Sequence, residues 1–150
     1  MNTNCGPTLA GFLLFLRNIV AIPVEALPDN SPSIEMSYCV ALELTLIQLK
    51  FASPQLYTLA VYNLGASNII NWAVDQPGQT YFADMRAKYD IRDFVGGVIS
   101  SASDVSTSES MEMPDFIKGL TIGNLQQLKD PFGRQWMAFM QDYGTIWGIS

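Results

Sequence analysis

Carboxylates are the plentiful ionisable groups of this chain, fourteen Asp and Glu against eight Lys and Arg. Asp90 and Asp93 flank Arg92, and Glu109 and Glu112 lie in a Ser/Thr-rich stretch. Acid–base pairs need converging carboxyls whose pKa values are split by their surroundings, and neighbourhood along the chain supplies neither. A solvated charged face accounts for these four residues. Val95-Gly96-Gly97-Val98 has the glycines of a phosphate-cradling loop. It lacks the Lys-Ser/Thr of a P-loop and the spacing of the dinucleotide fingerprint, so a bulge or tight bend explains it better. Ser100–Ser110 holds no Gly-x-Ser-x-Gly elbow, and nothing brings Lys118 to it as a base. Histidine is absent. That removes Ser-His and Cys-His catalysis and the usual zinc and non-haem iron sites. Cys5 and Cys39 cannot hold a metal by themselves; read as free thiols, they point to a reducing compartment. The residues suggest no catalytic, cofactor or metal site, and a small hydrolase without a recognisable site is the enzymatic alternative.

Composition points to packing instead. Of 150 residues, 49% are hydrophobic and 15% charged, against about 25% charged in average soluble proteins. That is a thin coat of charge for a small domain, and it predicts apolar surface that meets other subunits. The net charge is −6, and the cations are scattered as Arg17, Lys50, Arg86, Lys88, Arg92, Lys118, Lys129 and Arg134. Without a basic cluster there is no tight grip on DNA, although DNA could slide past an acidic wall. Trp72, Trp136 and Trp147 lack interleaved basic residues, so they read as packing groups and not as a base-stacking platform. The apolar run 8–22 carries Arg17 and Asn18 in its middle and no Lys or Arg before it. It reads as a helix, neither a signal peptide nor a membrane span.

The elements that must position these groups are marked by proline. Ser31-Pro32, Ser53-Pro54 and Asp130-Pro131 each place a capping side chain before a proline that suits the first helical position. Helices are expected over 7–21, 32–50, 54–73 and 80–89, with the apolar stripe of the first running Leu9, Phe12, Leu13, Leu16, Ile19 and Val20. Helices 32–50 and 54–73 should pair, burying Tyr38, Leu42, Leu46, Tyr57, Ala60 and Leu64. Gly65, Ala66 and Ser67 form a small-residue patch where a neighbouring helix could come close. Asp84 and Lys88, one turn apart, suggest a surface ion pair. Residues 94–113 turn β-branched, then Ser/Asp-rich, then alternating, which predicts a β-hairpin or long loop. A lone hairpin is marginal unless it packs on something, so Val98, Val105, Met111 and Met113 are candidate contacts to a neighbouring subunit. A helix from Asp130-Pro131 to about Tyr143 carries Phe132, Trp136, Phe139 and Tyr143 at helical spacing, and Ile146, Trp147 and Ile149 follow. That is more large apolar surface than a terminal segment needs, and it completes the candidate interface.

Several packing segments carry a resemblance. Leu56-Tyr-Thr-Leu-Ala-Val-Tyr-Asn-Leu-Gly-Ala66, Asp75-Gln-Pro-Gly-Gln-Thr-Tyr-Phe82 and Tyr89-Asp-Ile91 resemble parts of tailed-bacteriophage head-completion proteins. Leu125-Gln-Gln-Leu-Lys-Asp-Pro-Phe-Gly-Arg134 and Tyr143-Gly-Thr-Ile-Trp-Gly148 are similar to the tail of the same proteins. The likeness covers most of residues 12–148 and is carried by packing motifs, not chemical signatures. It implies a head-to-tail adaptor (connector) of a short-tailed phage. Such a subunit would sit in a homo-oligomeric ring, dodecameric in the family, between the portal protein and the tail nozzle. DNA would pass through the channel without specific binding, and the protein would belong to the virion after assembly in the host cytoplasm. A tail-terminator or other tail-tube subunit is the alternative. The expected fold is mainly α: a small helical bundle over 1–93, a hairpin or loop insertion over 94–113, and an extended C-terminal arm over 114–150, one domain overall. Adaptor arms embrace the portal, and the hairpin between core and arm departs from some members of the family. No membrane contact is expected, since a basic amphipathic face is lacking.

Overall fold

The computed structural model describes residues 6–91, 102–104, 107–109 and 129–143. It is mainly helical. Helix α1 spans Leu9–Asn18, α2 Pro32–Leu44, α3 Gln48–Ala52, α4 Pro54–Trp72, α5 Tyr81–Lys88 and α6 Pro131–Tyr143. Within the 94–113 segment, strands β1 (Ala102–Asp104) and β2 (Thr107–Glu109) pair antiparallel, with Ala102 opposite Glu109 and Asp104 opposite Thr107. The rest of that segment, with the contacts expected of Val98, Val105, Met111 and Met113, lies outside the described residues.

Helix α4 is the axis of the molecule. Tyr57 and every residue from Ala60 to Ile70 are buried, as befits a helix enclosed on all sides. Helices α1, α2, α3, α5 and α6 all pack on it. The small-residue patch does what its composition predicts. A Cβ on Gly65 would stand 2.7 Å from two ring carbons of Phe12, so only glycine lets α1 approach so closely. Phe12 is itself wedged, its ring centroid 5.8 Å from those of both Tyr38 and Tyr62. Gly65→Val should therefore lower stability by about 2–3 kcal/mol through overpacking, without the propensity gain that alanine would bring. Urea denaturation followed by circular dichroism measures this, and an unchanged midpoint would mean that the Phe12 ring can move aside.

The proline-marked starts at Pro32, Pro54 and Pro131 are all helix starts. Ser53 caps α4 by accepting from Leu56 N–H at 3.4 Å, whereas the Ser31 side chain makes no capping bond. The first helix begins later than the expected residue 7, because the Thr8 hydroxyl accepts from Gly11 N–H at 3.0 Å and fixes the cap there. Along its stripe Phe12, Leu16 and Val20 are buried, but Leu9 and Ile19 are exposed and Phe15 lies inside instead.

The expected helix 32–50 is broken. Thr45 leaves α2 in an extended conformation, and the chain restarts as α3. Thr45 is buried, and its hydroxyl accepts from Trp136 Nε1–H at 3.2 Å. A β-branched residue of modest helix propensity is thereby held outside the helix. Of the six residues expected between the paired helices, Tyr57, Ala60 and Leu64 are buried, and Tyr38, Leu42 and Leu46 are half-buried against the core.

Helix α5 starts where expected and is capped from outside the helix by Asp75. Both oxygens of Asp75 accept from its first turn, Oδ1 from Phe82 N–H at 2.7 Å and Oδ2 from Ala83 N–H at 3.0 Å. Thr80 instead donates its hydroxyl to Asp84 at 3.0 Å. The suggested Asp84–Lys88 pair does not form; Lys88 lies 5.5 Å from the centre of the Tyr89 ring.

The C-terminal arm is the main correction. Residues 131–143 form a helix that packs against α3 and α4. Trp136 is 6% exposed, Met137 and Met140 are buried beside it, and Phe132 and Phe139 pack on the same core. The apolar side of this helix faces its own domain: Trp136 stands in the core, and Phe132 and Phe139 are half-buried against it. The Tyr143 side chain and Ile146, Trp147 and Ile149 lie outside the described residues.

Candidate functional site

Two kinds of local structure bear on function: polar groups inside the bundle and apolar groups outside it. The interior polar groups bind the helices together. The Ser67 hydroxyl donates to Asp130 Oδ2 at 2.7 Å, and Gly133 N–H donates to Asp130 Oδ1 at 2.7 Å. Both Ser67 and Asp130 are fully buried, so this Ser–Asp pair has no access for a substrate and instead joins α4 to the start of α6. Burial pushes the Asp130 carboxyl above the ordinary carboxylate value, against hydrogen bonds from Gly133, Ser67 and Phe132 that favour its ionised form. On the other side, Tyr62 ties α4 to α1: its hydroxyl donates to the Thr8 carbonyl at 3.1 Å and accepts from Thr8 N–H at 3.0 Å.

Two of the scattered cations are also used inside the fold. Arg17 donates to the Ile22 carbonyl at 2.9 Å and to the Leu27 carbonyl, and it pairs with Asp29. Arg86 donates to the Ile70 carbonyl at 2.8 Å and to the Ala73 carbonyl, closing the C-terminal end of α4. Among the described residues no cluster of three His, Cys, Asp or Glu could hold a metal ion, and no helix is long and apolar enough to cross a membrane. Asp90 is exposed; its sequence companions Asp93 and Glu112, with Lys118, lie outside the described residues, as do the side-chain surroundings of Glu109.

The outer surface is different in kind. Leu14, Ile19, Met36, Leu44, Phe51 and Trp72 are large apolar side chains left in water, and Phe51 is 83% exposed. None belongs to the interface set expected from sequence. A signal for Phe51 was present. The stripe that runs Leu42, Leu46, Leu49 faces the core, and a residue two places beyond Leu49 points to the opposite side of a helix. Ile47 precedes Phe51 by one turn and is also exposed, so the two stand together on the outer side of α3. Lys50 is exposed beside them and makes no ion pair among the described residues.

A groove lies at the other end of α2. It encloses about 430 Å³ between α1 and the first turn of α2. Leu9, Leu13 and Ile34 supply apolar wall, and Asp29 and Glu35 supply its carboxylates. Asp29 is engaged by Arg17, so Glu35 is the exposed negative charge that no cation offsets among the described residues. Cys39, farther along α2, is a free and exposed thiol.

Among the described residues, then, the surface offers an exposed apolar pair on one side and a partly apolar groove on the other. Comparison with protein-family models, with curated proteins and with solved structures finds no match to this chain.

Proposed function

We propose that this chain is a structural subunit that works by packing against other protein subunits, and that its place is the head-to-tail adaptor ring of a short-tailed phage. One observation carries the first part: the helical core closes on itself, yet large apolar side chains on α1, α2, α3 and α4 remain in water. Scattered single hydrophobes are ordinary; Phe51 on α3 and Ile47 at its N-cap, both exposed one turn apart, are a closer grouping. The second part rests on the sequence resemblance to head-completion proteins. The net charge of −6 suits a channel that DNA traverses without adhering, since like charge keeps a polyanion off the wall at short range. On this reading the 94–113 insertion adds contacts to a neighbouring subunit, and the portal and tail-nozzle proteins are the axial partners.

Electron microscopy of the purified chain, alone and mixed with portal protein, tests the proposal. Rings, or density added beneath the portal, are expected. Stacked tubes in place of single rings would favour a tail-tube subunit, and monomers that leave the portal unaltered would sink the adaptor reading.

A further inference from the structure

The ring reading leaves open how one copy holds the next, and we infer that the Phe51 knob of one copy seats in the groove between α1 and α2 of its neighbour. This inference rests on the assembly reading and supplies its contact. The two surfaces match in chemistry. The knob is Phe51 with Ile47 and Lys50, which makes no ion pair among the described residues; the groove has Leu9, Leu13 and Ile34 for the rings and methyls and Glu35 for the ammonium. An aromatic side chain seated there would bury roughly 150–250 Å², and the 430 Å³ of the groove gives it room.

Their separation sets the geometry of the contact. The groove lies at the first turn of α2 and the knob on α3, just past the last turn. The 13 residues of α2, rising about 1.5 Å each, put roughly 20 Å between them. A knob and a groove at separate places on one surface let each copy join two different neighbours, a heterologous contact that passes from copy to copy and closes into a ring when the rotation allows. An isologous dimer would instead engage both contacts reciprocally between two copies, so the size of the wild-type oligomer separates the two arrangements. Glu35 opposite Lys50 also fixes which way the next copy faces.

Sedimentation velocity on the full chain tests this with two variants whose changed side chains are exposed, both checked for an unaltered helical spectrum. Phe51→Asp removes the knob and keeps the groove; Leu9→Lys combined with Glu35→Lys spoils the groove and keeps the knob. The wild-type chain should sediment as an oligomer, and each variant alone as a monomer. Mixed in equal amounts they should form a one-to-one dimer and nothing larger, because each then offers a single working surface. Lys50→Glu should weaken assembly, and Glu35→Lys added to it should restore it. Variants that assemble like the wild type overturn this contact and leave the ring reading standing. A wild-type chain that is monomeric at every concentration overturns it too.

Discussion

Truncation after Lys129 is expected to leave a chain that does not fold. The deletion removes α6, and with it Trp136, Met137 and Met140, all buried. Large apolar side chains are each worth about 1.5–3 kcal/mol when fully buried, so their joint loss is on the order of 5–9 kcal/mol. That rivals the whole stability of an ordinary domain, about 5–15 kcal/mol. The loss is not only apolar. Without Asp130 the buried Ser67 hydroxyl has lost its acceptor, and without Trp136 the buried Thr45 has lost its partner. Trp136→Ala alone should lower stability by about 3–5 kcal/mol through the cavity it leaves. Circular dichroism during thermal unfolding is the measurement: the truncated chain should show no cooperative transition, and Trp136→Ala a strongly lowered one. A truncated chain with wild-type helicity and a sharp melt would restore the arm reading that the packing of α6 removes.

The fate of α6 shows what a sequence pattern can and cannot say. Phe132, Trp136 and Phe139 recur at helical spacing, and that periodicity establishes that one side of the helix is to be covered. It does not say by what. A helix closing its own domain and a helix docking on a partner need the same stripe, because the hydrophobic effect is non-directional and depends on area removed from water. The difference lies in the rest of the fold, in α4 having a side free to receive it. The starts at Pro32, Pro54 and Pro131 were legible for the opposite reason: a cap and a proline act within one turn, where the sequence is the structure. The break at Thr45 was hidden because its cause, Trp136, is distant in the chain. Asp75 was hidden as a cap because it reaches α5 from beyond the adjacent loop. As for the candidate site, the excess of apolar residues correctly pointed to apolar surface. Which residues stay exposed was less legible, because Phe51 lies off the apolar stripe and only the fold shows that nothing in its own chain among the described residues covers it.

Asp130 shows how one residue serves a local and a distant role, and its substitutions should separate them. As the residue before Pro131 it accepts from Gly133 N–H, which satisfies a free donor of the first turn of α6 and favours negative charge near the helix start. Through its other oxygen it accepts from Ser67 on α4. Asp130→Ala should lower stability by about 2–4 kcal/mol, because it removes a cap and leaves a buried hydroxyl and a buried N–H without acceptors. Asp130→Asn should behave differently. The amide oxygen can still accept from Gly133 N–H, and the amide nitrogen can donate to the Ser67 oxygen, so both contacts survive without a buried charge. The pH dependence follows from the raised carboxyl. A folded-state pKa above the unfolded value of 3.8 means that the folded chain holds the proton more tightly. The contribution of Asp130 to stability is then complete below the unfolded value and declines as pH rises through the folded one. Asp130→Asn lacks this titration, whereas the remaining carboxylates are common to both chains and cancel in the comparison. Urea unfolding of the two proteins side by side should therefore show the wild type gaining on Asp130→Asn as the solution is acidified from pH 7 toward the carboxylate range. A difference that stays constant with pH, or that moves the other way, would mean that the Asp130 carboxyl is as well solvated by its hydrogen bonds as it is by water.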